Sequence, residues 1–112
     1  MNDIRKLTEG YVAAFNARKL DEVAYYLAER FELTDPEVTA LSPKVDVLKY
    51  IGELFDAQTN MSFEAHLILI DDNVSVIHFT LTLGTLVFDG VDIITWEFQK
   101  MTSMKAYLTP RK

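Results

Sequence analysis

The sequence contains no cysteine, and its 112 residues include only four glycines and three prolines. The absence of cysteine excludes disulfides, iron–sulfur clusters and thiolate zinc sites. The longest aliphatic run, Leu67 to Ile70, is far shorter than the roughly 20 residues that cross a membrane. The N-terminus has no apolar segment of the kind found in a secretory signal. We therefore expect a cytoplasmic protein with no membrane partner.

Positive charge is also scarce. Eleven Lys and Arg against 17 Asp and Glu give a net charge of −6 and an isoelectric point near 4.8. Binding to nucleic acid requires a basic surface that neutralises phosphates, so we expect no nucleic-acid partner. Apolar residues make up 49% of the chain, which is enough for one hydrophobic core. The length predicts a single domain over residues 1–112.

Hydrophobic periodicity predicts three helices in the first half of the chain. The first carries an apolar stripe, with Asn2 or Asp3 as its N-cap, and the second runs from Leu20 to Leu27. The third is expected to start with Ser42 as N-cap and Pro43 at the first helical position. The stripe of the first helix consists of Ile4, Leu7, Tyr11, Ala14 and Phe15, and that of the third of Val47, Leu48, Ile51, Leu54 and Phe55.

Alternating patterns predict one short early strand, Phe31 to Asp35, and a series of strands after residue 62. Gly90 predicts a β-bulge within one of them, although Asp89-Gly90 could instead form a hairpin turn. Helices followed by a long antiparallel sheet indicate an α+β domain. The later strands are Phe63–Ile70, Val74–Leu83, Thr85–Phe98 and Met101–Leu108.

These strands are apolar on one face and partly apolar on the other. One face must cover the helices, so the other needs a partner, and a second copy of the chain is the simplest one. The sequence therefore predicts a homodimer. The candidate residues for the outer face are Ile68, Ile70, Val74 and Val76.

Two carboxylates and one tyrosine are candidates for chemistry. Asp35 continues an inward row after Phe31 and Leu33, where it could act as a base at a cavity; alternatively, it caps an Asp-Pro turn. Asp92 either lies in an apolar row and stays protonated, or the strand rotates and sends it to solvent. Tyr11 is either a core residue or a donor to a developing oxyanion.

The two histidines, His66 and His78, are isolated on strands. Neither has a second histidine or a carboxylate at metal-ligand spacing, so no metal site is predicted. His78 is a weaker candidate for acid–base chemistry beside Asp35. The sequence has no glycine-rich phosphate loop and no nucleophile elbow, and no cofactor is expected.

Several segments of the sequence resemble the SnoaL-like, nuclear transport factor 2-like superfamily. Tyr11-Val-Ala-Ala-Phe-Asn-Ala17, Leu20-Asp21 and Thr34-Asp35-Pro36 resemble the start of its domain. Gly90-Val-Asp-Ile-Ile-Thr-Trp96 and Ser103-Met-Lys-Ala-Tyr-Leu108 are similar to its last two strands. The closest functional resemblance is to the steroid Δ5-isomerases, also called ketosteroid isomerases.

The resemblance implies a cone-shaped, cystatin-like α+β fold, with three helices packed in a curved antiparallel sheet around an apolar pocket. In the isomerases an oxyanion-hole tyrosine, a general base and a protonated carboxylic acid act together. Tyr11, Asp35 and Asp92 match these three positions. Leu27 and Ile51 stand where supporting tyrosines are expected, with Tyr26 and Tyr50 adjacent.

The leading hypothesis is a cofactor-independent isomerase or cyclase-like enzyme that binds an apolar carbonyl compound. Asp35 would move a proton next to the carbonyl, while Tyr11 and Asp92 would hydrogen-bond the enolate oxygen. The alternative is a non-catalytic domain that binds a ligand or a second copy. The candidate pocket walls are Phe15, Leu33, Phe55, Phe79, Phe88, Trp96 and Tyr107.

Overall fold

Three helices and five strands make up the computed structural model, which describes residues 3–58 and 60–111. None of the helices in these residues has the length and hydrophobicity needed to cross a membrane. The elements are α1 (Ile4–Asn16), α2 (Leu20–Tyr25), β1 (Leu27–Thr34), α3 (Lys44–Ala57), β2 (Met61–Asp71), β3 (Val74–Leu83), β4 (Leu86–Glu97) and β5 (Lys100–Pro110).

The predicted first helix is confirmed. The Asp3 side chain accepts a hydrogen bond from the Lys6 amide at 3.1 Å, which caps the first turn of α1. Asn2, the other predicted cap, lies outside the described residues. The buried face of α1 includes Tyr11 and Phe15, so this helix directs both side chains into the core.

The other two helices differ from prediction at one end. Leu27 was predicted to end α2 but is the first residue of β1, because its side chain is buried and it pairs with Met101 on β5. Pro43 is in an extended conformation and occupies the N-cap of α3, so Ser42 lies one residue too far away to cap it. The apolar stripe of α3 is confirmed by the buried residues Val47, Ile51 and Phe55.

The five strands form one curved sheet in the order β1-β5-β4-β3-β2. All neighbours are antiparallel except β1 and β5, which run parallel. The prediction of an antiparallel sheet therefore holds for every pair but this one. The helices pack against one face, and the core lies between them and the sheet.

Gly90 forms neither a bulge nor a turn. It pairs in regular register with Phe79 on β3 and Leu108 on β5, in the middle of β4. A Cβ atom at this position would lie 2.6 Å from Phe79 Cζ and 2.7 Å from the Tyr107 carbonyl oxygen. The glycine therefore permits a close approach of an aromatic ring to the backbone.

Irregular register is found instead where β1 and β4 each pair with β5, and on β2. The shift on β2 decides which of its residues face outward. The register shifts between Ala65 and Leu67, which makes His66 an extra residue on that strand. After the shift, Ile68 and Ile70 pair with the buried residues Ile77 and Ser75. Both isoleucines thus face the helices, and the prediction that they form the outer face is wrong. Leu67 and Leu69, 50% and 53% exposed, occupy the outer face in their place.

Candidate active site

A small cavity lies between the helices and the inner face of the sheet. Its inner chamber has a volume of about 80 Å³. An adjoining mouth of about 360 Å³ shares Asp35, Tyr50 and Leu54 with the chamber. The chamber is lined by apolar side chains from α1, α3 and four strands, together with the polar residues Tyr11, Asp35, Tyr50 and Asp92.

Tyr11 lies deep in the chamber because it belongs to the buried stripe of α1. Its side chain is 3% exposed, and its hydroxyl donates a hydrogen bond to the Met104 sulfur at 3.8 Å. Burial, and secondarily the carboxyl of Asp92, raises the pKa of Tyr11 well above its ordinary value. The phenol therefore keeps its proton and is available as a donor.

Asp92 faces the same chamber. It lies on β4 between Ile77 and Ala106 of the neighbouring strands, and it is 3% exposed. Removal from water, and secondarily the charge of Asp35, raises the pKa of Asp92 to about 8. Of the two predicted alternatives, the inward-facing one is confirmed. The carboxyl is largely protonated at pH 7 and can donate a hydrogen bond.

Asp35 follows β1, and its carboxylate has two environments. Oδ1 accepts hydrogen bonds from the backbone amides of Glu37 at 2.8 Å and Val38 at 3.0 Å, which caps the Asp-Pro turn. Oδ2 accepts the Tyr50 hydroxyl at 2.8 Å. Asp35 also lines the chamber and the mouth. It therefore both caps the Asp-Pro turn and lies at a cavity, which were the two alternatives for this residue.

Tyr50, on α3, was not among the predicted site residues. Burial and the hydrogen bond to Asp35 raise the pKa of Tyr50, so it remains a donor to that carboxylate. It lies next to Ile51, where a tyrosine supporting Tyr11 was expected. Tyr26 packs edge-on against the Tyr11 ring with centroids 6.5 Å apart. Where the resemblance implied supporting tyrosines, the Tyr11 hydroxyl contacts the Met104 sulfur and the Tyr50 hydroxyl contacts Asp35.

The predicted wall residues are divided between three places. Phe15, Leu33 and Phe79 line the chamber, and Phe88 lines the mouth. The remaining three line neither the chamber nor the mouth, so their assignment to the pocket wall is wrong. Phe55 packs behind Phe15 with ring centroids 5.2 Å apart, Trp96 donates to Ser75 in the core, and Tyr107 is 59% exposed. The wall residues missed by the sequence are Ile51, Leu54, Phe63, Leu81, Met104, Ala106 and Leu108.

The histidines lie away from this site. His78 alternates with the buried residues Ile77 and Phe79 on β3, so its side chain faces outward. Its ring lies 5.4 Å from that of His66, which is hydrogen-bonded to Thr80. His78 is therefore not beside Asp35, and its suggested acid–base role is wrong. Within residues 3–58 and 60–111, no group of three His, Asp or Glu side chains is arranged to hold a metal ion.

Most of the chain matches the model of one protein family. Residues 8–104 match the model of the SnoaL-like domain. The chain belongs to the SnoaL-like domain family. The match includes Tyr11, Asp35 and Asp92, and it confirms the resemblance noted in the sequence. No sequence among the curated proteins matches the chain.

Solved structures with the same fold include several SnoaL-like and related proteins. A candidate ketosteroid isomerase from Kribbella flavida DSM 17836 is 20% identical, with a TM-score of 0.86 over 97% of this chain and 79% of that one. A candidate SnoaL-like polyketide cyclase from Shewanella denitrificans OS-217 is 12% identical, with a TM-score of 0.81 over 95% and 90%. An LEH-like epoxide hydrolase from M. tuberculosis is 16% identical, with a TM-score of 0.76 over 93% and 80%. These similarities establish the fold, which hosts several chemistries.

Proposed function

We propose that this protein is a cofactor-independent enzyme that transfers a proton at a carbon next to a carbonyl, in an isomerase or cyclase-like reaction. The observation that carries the proposal is the convergence of an anchored carboxylate and two protonated donors on one apolar chamber. Asp35 is the carboxylate, and Tyr11 and Asp92 are the donors. The isomerase and cyclase assignments of structural neighbours support the same class of reaction.

Asp35 is the general base in this proposal. Its Oδ1 already accepts two backbone amides, and its Oδ2 accepts Tyr50. A carboxylate oxygen has two lone pairs, so Oδ2 retains one that can take a proton from a bound substrate. The three hydrogen bonds hold the carboxylate in a single orientation, which favours a productive geometry.

Tyr11 and Asp92 stabilise the oxygen that becomes negative. Both are uncharged at neutral pH, so they can be buried in an apolar chamber without the cost of a buried charge. Both can donate hydrogen bonds to an enolate oxygen, whose charge develops only in the transition state. Because the donors are fixed before the reaction, they need no rearrangement when the charge forms.

The proton balance is simple. The carbon–hydrogen bond next to the carbonyl breaks, its electron pair forms the carbon–carbon double bond of the enolate, and the proton moves to Asp35 Oδ2. In a β,γ-unsaturated ketone the enolate is conjugated with the second double bond, so return of the proton from Asp35 to the γ-carbon gives the α,β-unsaturated isomer. Alternatively, attack of the enolate carbon on a second carbonyl closes a ring, and the alkoxide formed takes up the proton from Asp35. Neither route requires a redox cofactor.

The proposal is tested with purified protein and a panel of small β,γ-unsaturated ketones, without any added cofactor. Conversion to the conjugated ketone is followed by ultraviolet absorption, and exchange of the α-protons with deuterated solvent by nuclear magnetic resonance (NMR). We expect turnover or exchange of at least one uncharged ketone above the buffer rate. Equal rates with wild type, Asp35→Asn and buffer across the panel would contradict an enzymatic role for the site.

A second candidate function is a non-catalytic ligand-binding or dimerisation domain. The outer face of the sheet favours a role in assembly, because it exposes large apolar side chains on β2, β4 and β5. A homodimer that covers this face would bury on the order of 2,000 Å² if it is of the obligate type. The exposed residues are Leu67, Leu69, Ile93 and Tyr107, the last 59% exposed.

We expect light scattering at micromolar concentration to give twice the chain mass of 12.8 kDa. Leu69→Glu places a charge on the outer face and should produce the monomer, since an unpaired charge is costly to bury at an interface. Val45→Glu changes an exposed residue of α3, away from this face, and should leave the dimer intact. A monomeric wild type would refute the homodimer.

A further inference from the structure

The Met104 side chain contacts the reacting part of the proposed site. It lies on β5, is 8% exposed and lines the inner chamber. Its sulfur is the acceptor for the Tyr11 hydroxyl, at 3.8 Å. A thioether is a weak acceptor, so a ligand oxygen would replace it readily. The Met104 sulfur thus occupies the place that a ligand oxygen would take as the acceptor of the Tyr11 hydrogen bond.

The chamber is too small to hold a ring while Met104 keeps its present position. A cavity of about 150 Å³ in another protein holds a benzene molecule. The chamber here, at about 80 Å³, is roughly half as large. A ring-shaped head group therefore requires a wall side chain to move. Met104 is well suited to move, because methionine is unbranched and has several rotatable bonds.

We propose that Met104 is a displaceable plug that determines which head groups reach Tyr11 and Asp92. This inference rests on the proposed function. In the resting protein Met104 accepts the Tyr11 hydroxyl; when a ligand enters, it swings aside and a ligand oxygen replaces the sulfur. A slender acyclic carbonyl group needs only a small movement of the Met104 side chain, whereas a ring needs a larger one. Met104 is a specificity-determining residue in this scheme.

The mouth indicates the chemistry of the rest of the substrate. It is several times larger than the chamber, and most of its lining is apolar. The charged residues of its lining, Asp35 and Glu37, are both acidic, as is the chain as a whole with its net charge of −6. An anionic tail would be repelled there. The favoured substrate is therefore an uncharged ketone or aldehyde with a slender head and a larger apolar tail.

The test uses phenol as an enolate mimic and compares two variants at position 104 by calorimetric titration. Met104→Ala removes the plug, so phenol should bind on the order of tenfold tighter and 2-naphthol should bind measurably. Met104→Leu keeps a similar volume but is branched and has fewer rotatable bonds, so it moves aside less readily and phenol should bind more weakly than to wild type. Met101→Leu is the matched control, since Met101 is buried on the same strand outside the chamber lining and should not change the affinity.

A second measurement follows phenol binding to the wild-type protein itself. The chain has four methionines, so methyl-labelled methionine gives a simple NMR spectrum, and Met104→Leu is needed only to assign one resonance. Phenol should shift the Met104 methyl resonance strongly and that of Met101 much less.

Two negative outcomes are distinguishable. If both Met104 variants bind phenol as wild type does and the Met104 methyl resonance does not shift, while Tyr11→Phe weakens binding, the plug is refuted and the site stands. If phenol binds neither wild type nor Met104→Ala, the proposed function loses its support and the plug is refuted with it.

Discussion

Asp35→Asn is expected to reduce proton transfer by about 10²- to 10⁴-fold, the usual contribution of a positioned general base, while the fold is retained. An asparagine can preserve the local hydrogen bonds. Its carbonyl oxygen can accept the two backbone amides of the Asp-Pro turn, and its amide nitrogen can donate to the Tyr50 hydroxyl, which also accepts hydrogen bonds. The variant therefore loses the proton acceptor and little else.

Thermal denaturation separates this effect from structural damage. We expect the free energy of unfolding of Asp35→Asn to lie within about 1 kcal/mol of wild type. Asp35→Ala, which removes all three side-chain hydrogen bonds, should be clearly less stable. Asp56→Asn is a matched control, since Asp56 is an exposed acid on α3, and it should change neither rate nor stability. Full activity in Asp35→Asn would exclude Asp35 as the base.

Asp92→Asn is expected to change the pH dependence of stability more than any other single substitution in the site. Burial raises the pKa of Asp92 from 3.8, the ordinary value of an aspartate, to about 8 in the folded protein. Between these values the folded protein holds a proton that the unfolded chain has released. The stabilisation from this proton is complete below about pH 4 and is lost as the pH rises through 8.

One such proton changes the free energy of unfolding by at most about 1.4 kcal/mol per pH unit. The measurement is the free energy of unfolding of wild type minus that of Asp92→Asn, from denaturant titrations at several pH values between 4 and 9. Other groups titrate in both proteins and cancel in the difference. We expect the difference to fall steadily from about pH 4 to pH 8 and then to level off. A difference that is flat above pH 5 would mean that the Asp92 pKa is not raised.

The sequence was informative about the fold because its patterns are local. The stripe of α1 and the alternation on β3 arise from side chains that a single face must bury, so both were predicted correctly. Tyr11 belongs to the apolar stripe of α1, which indicated its burial. For Asp92 the sequence left an inward and a solvent-facing orientation open, and the structure decides for the inward one. Asp35 ends the row of β1, where the Asp-Pro pair placed it at the edge of the core.

The site residues that the sequence analysis missed depend on contacts between distant segments. Tyr50 lies three residues after Val47 and four before Leu54, so helical spacing already placed it beside the buried stripe of α3. That signal was available, but its contact with Asp35 requires α3 to lie against the end of β1. Met104 could not be assigned in this way, since its contact with Tyr11 joins residues 93 positions apart.

The prediction of the outer-face residues on β2 failed for a different reason. Both faces of the run from Leu67 to Ile70 are apolar, so alternation does not determine which residues point outward. The extra residue at His66 then reverses the orientation of the rest of β2. Gly90 shows a similar ambiguity, because a glycine in a strand fits a bulge, a turn or a close approach. The regular pairing of Gly90 with Phe79 and Leu108 excludes the bulge and the turn, and the Phe79 ring shows the close approach.

Tyr11 and Asp92 are proposed to form a donor site for a developing oxyanion, which the oxygen of phenol mimics. Calorimetric titration of phenol into wild type, Tyr11→Phe and Tyr25→Phe therefore measures this donor site directly. We expect phenol to bind wild type, and Tyr11→Phe to weaken binding by roughly tenfold or more, the value of a lost buried hydrogen bond. Tyr25→Phe should bind as wild type does, because Tyr25 is 61% exposed and lies outside the chamber lining. Equal affinity of all three proteins, or no binding to wild type, would contradict the account.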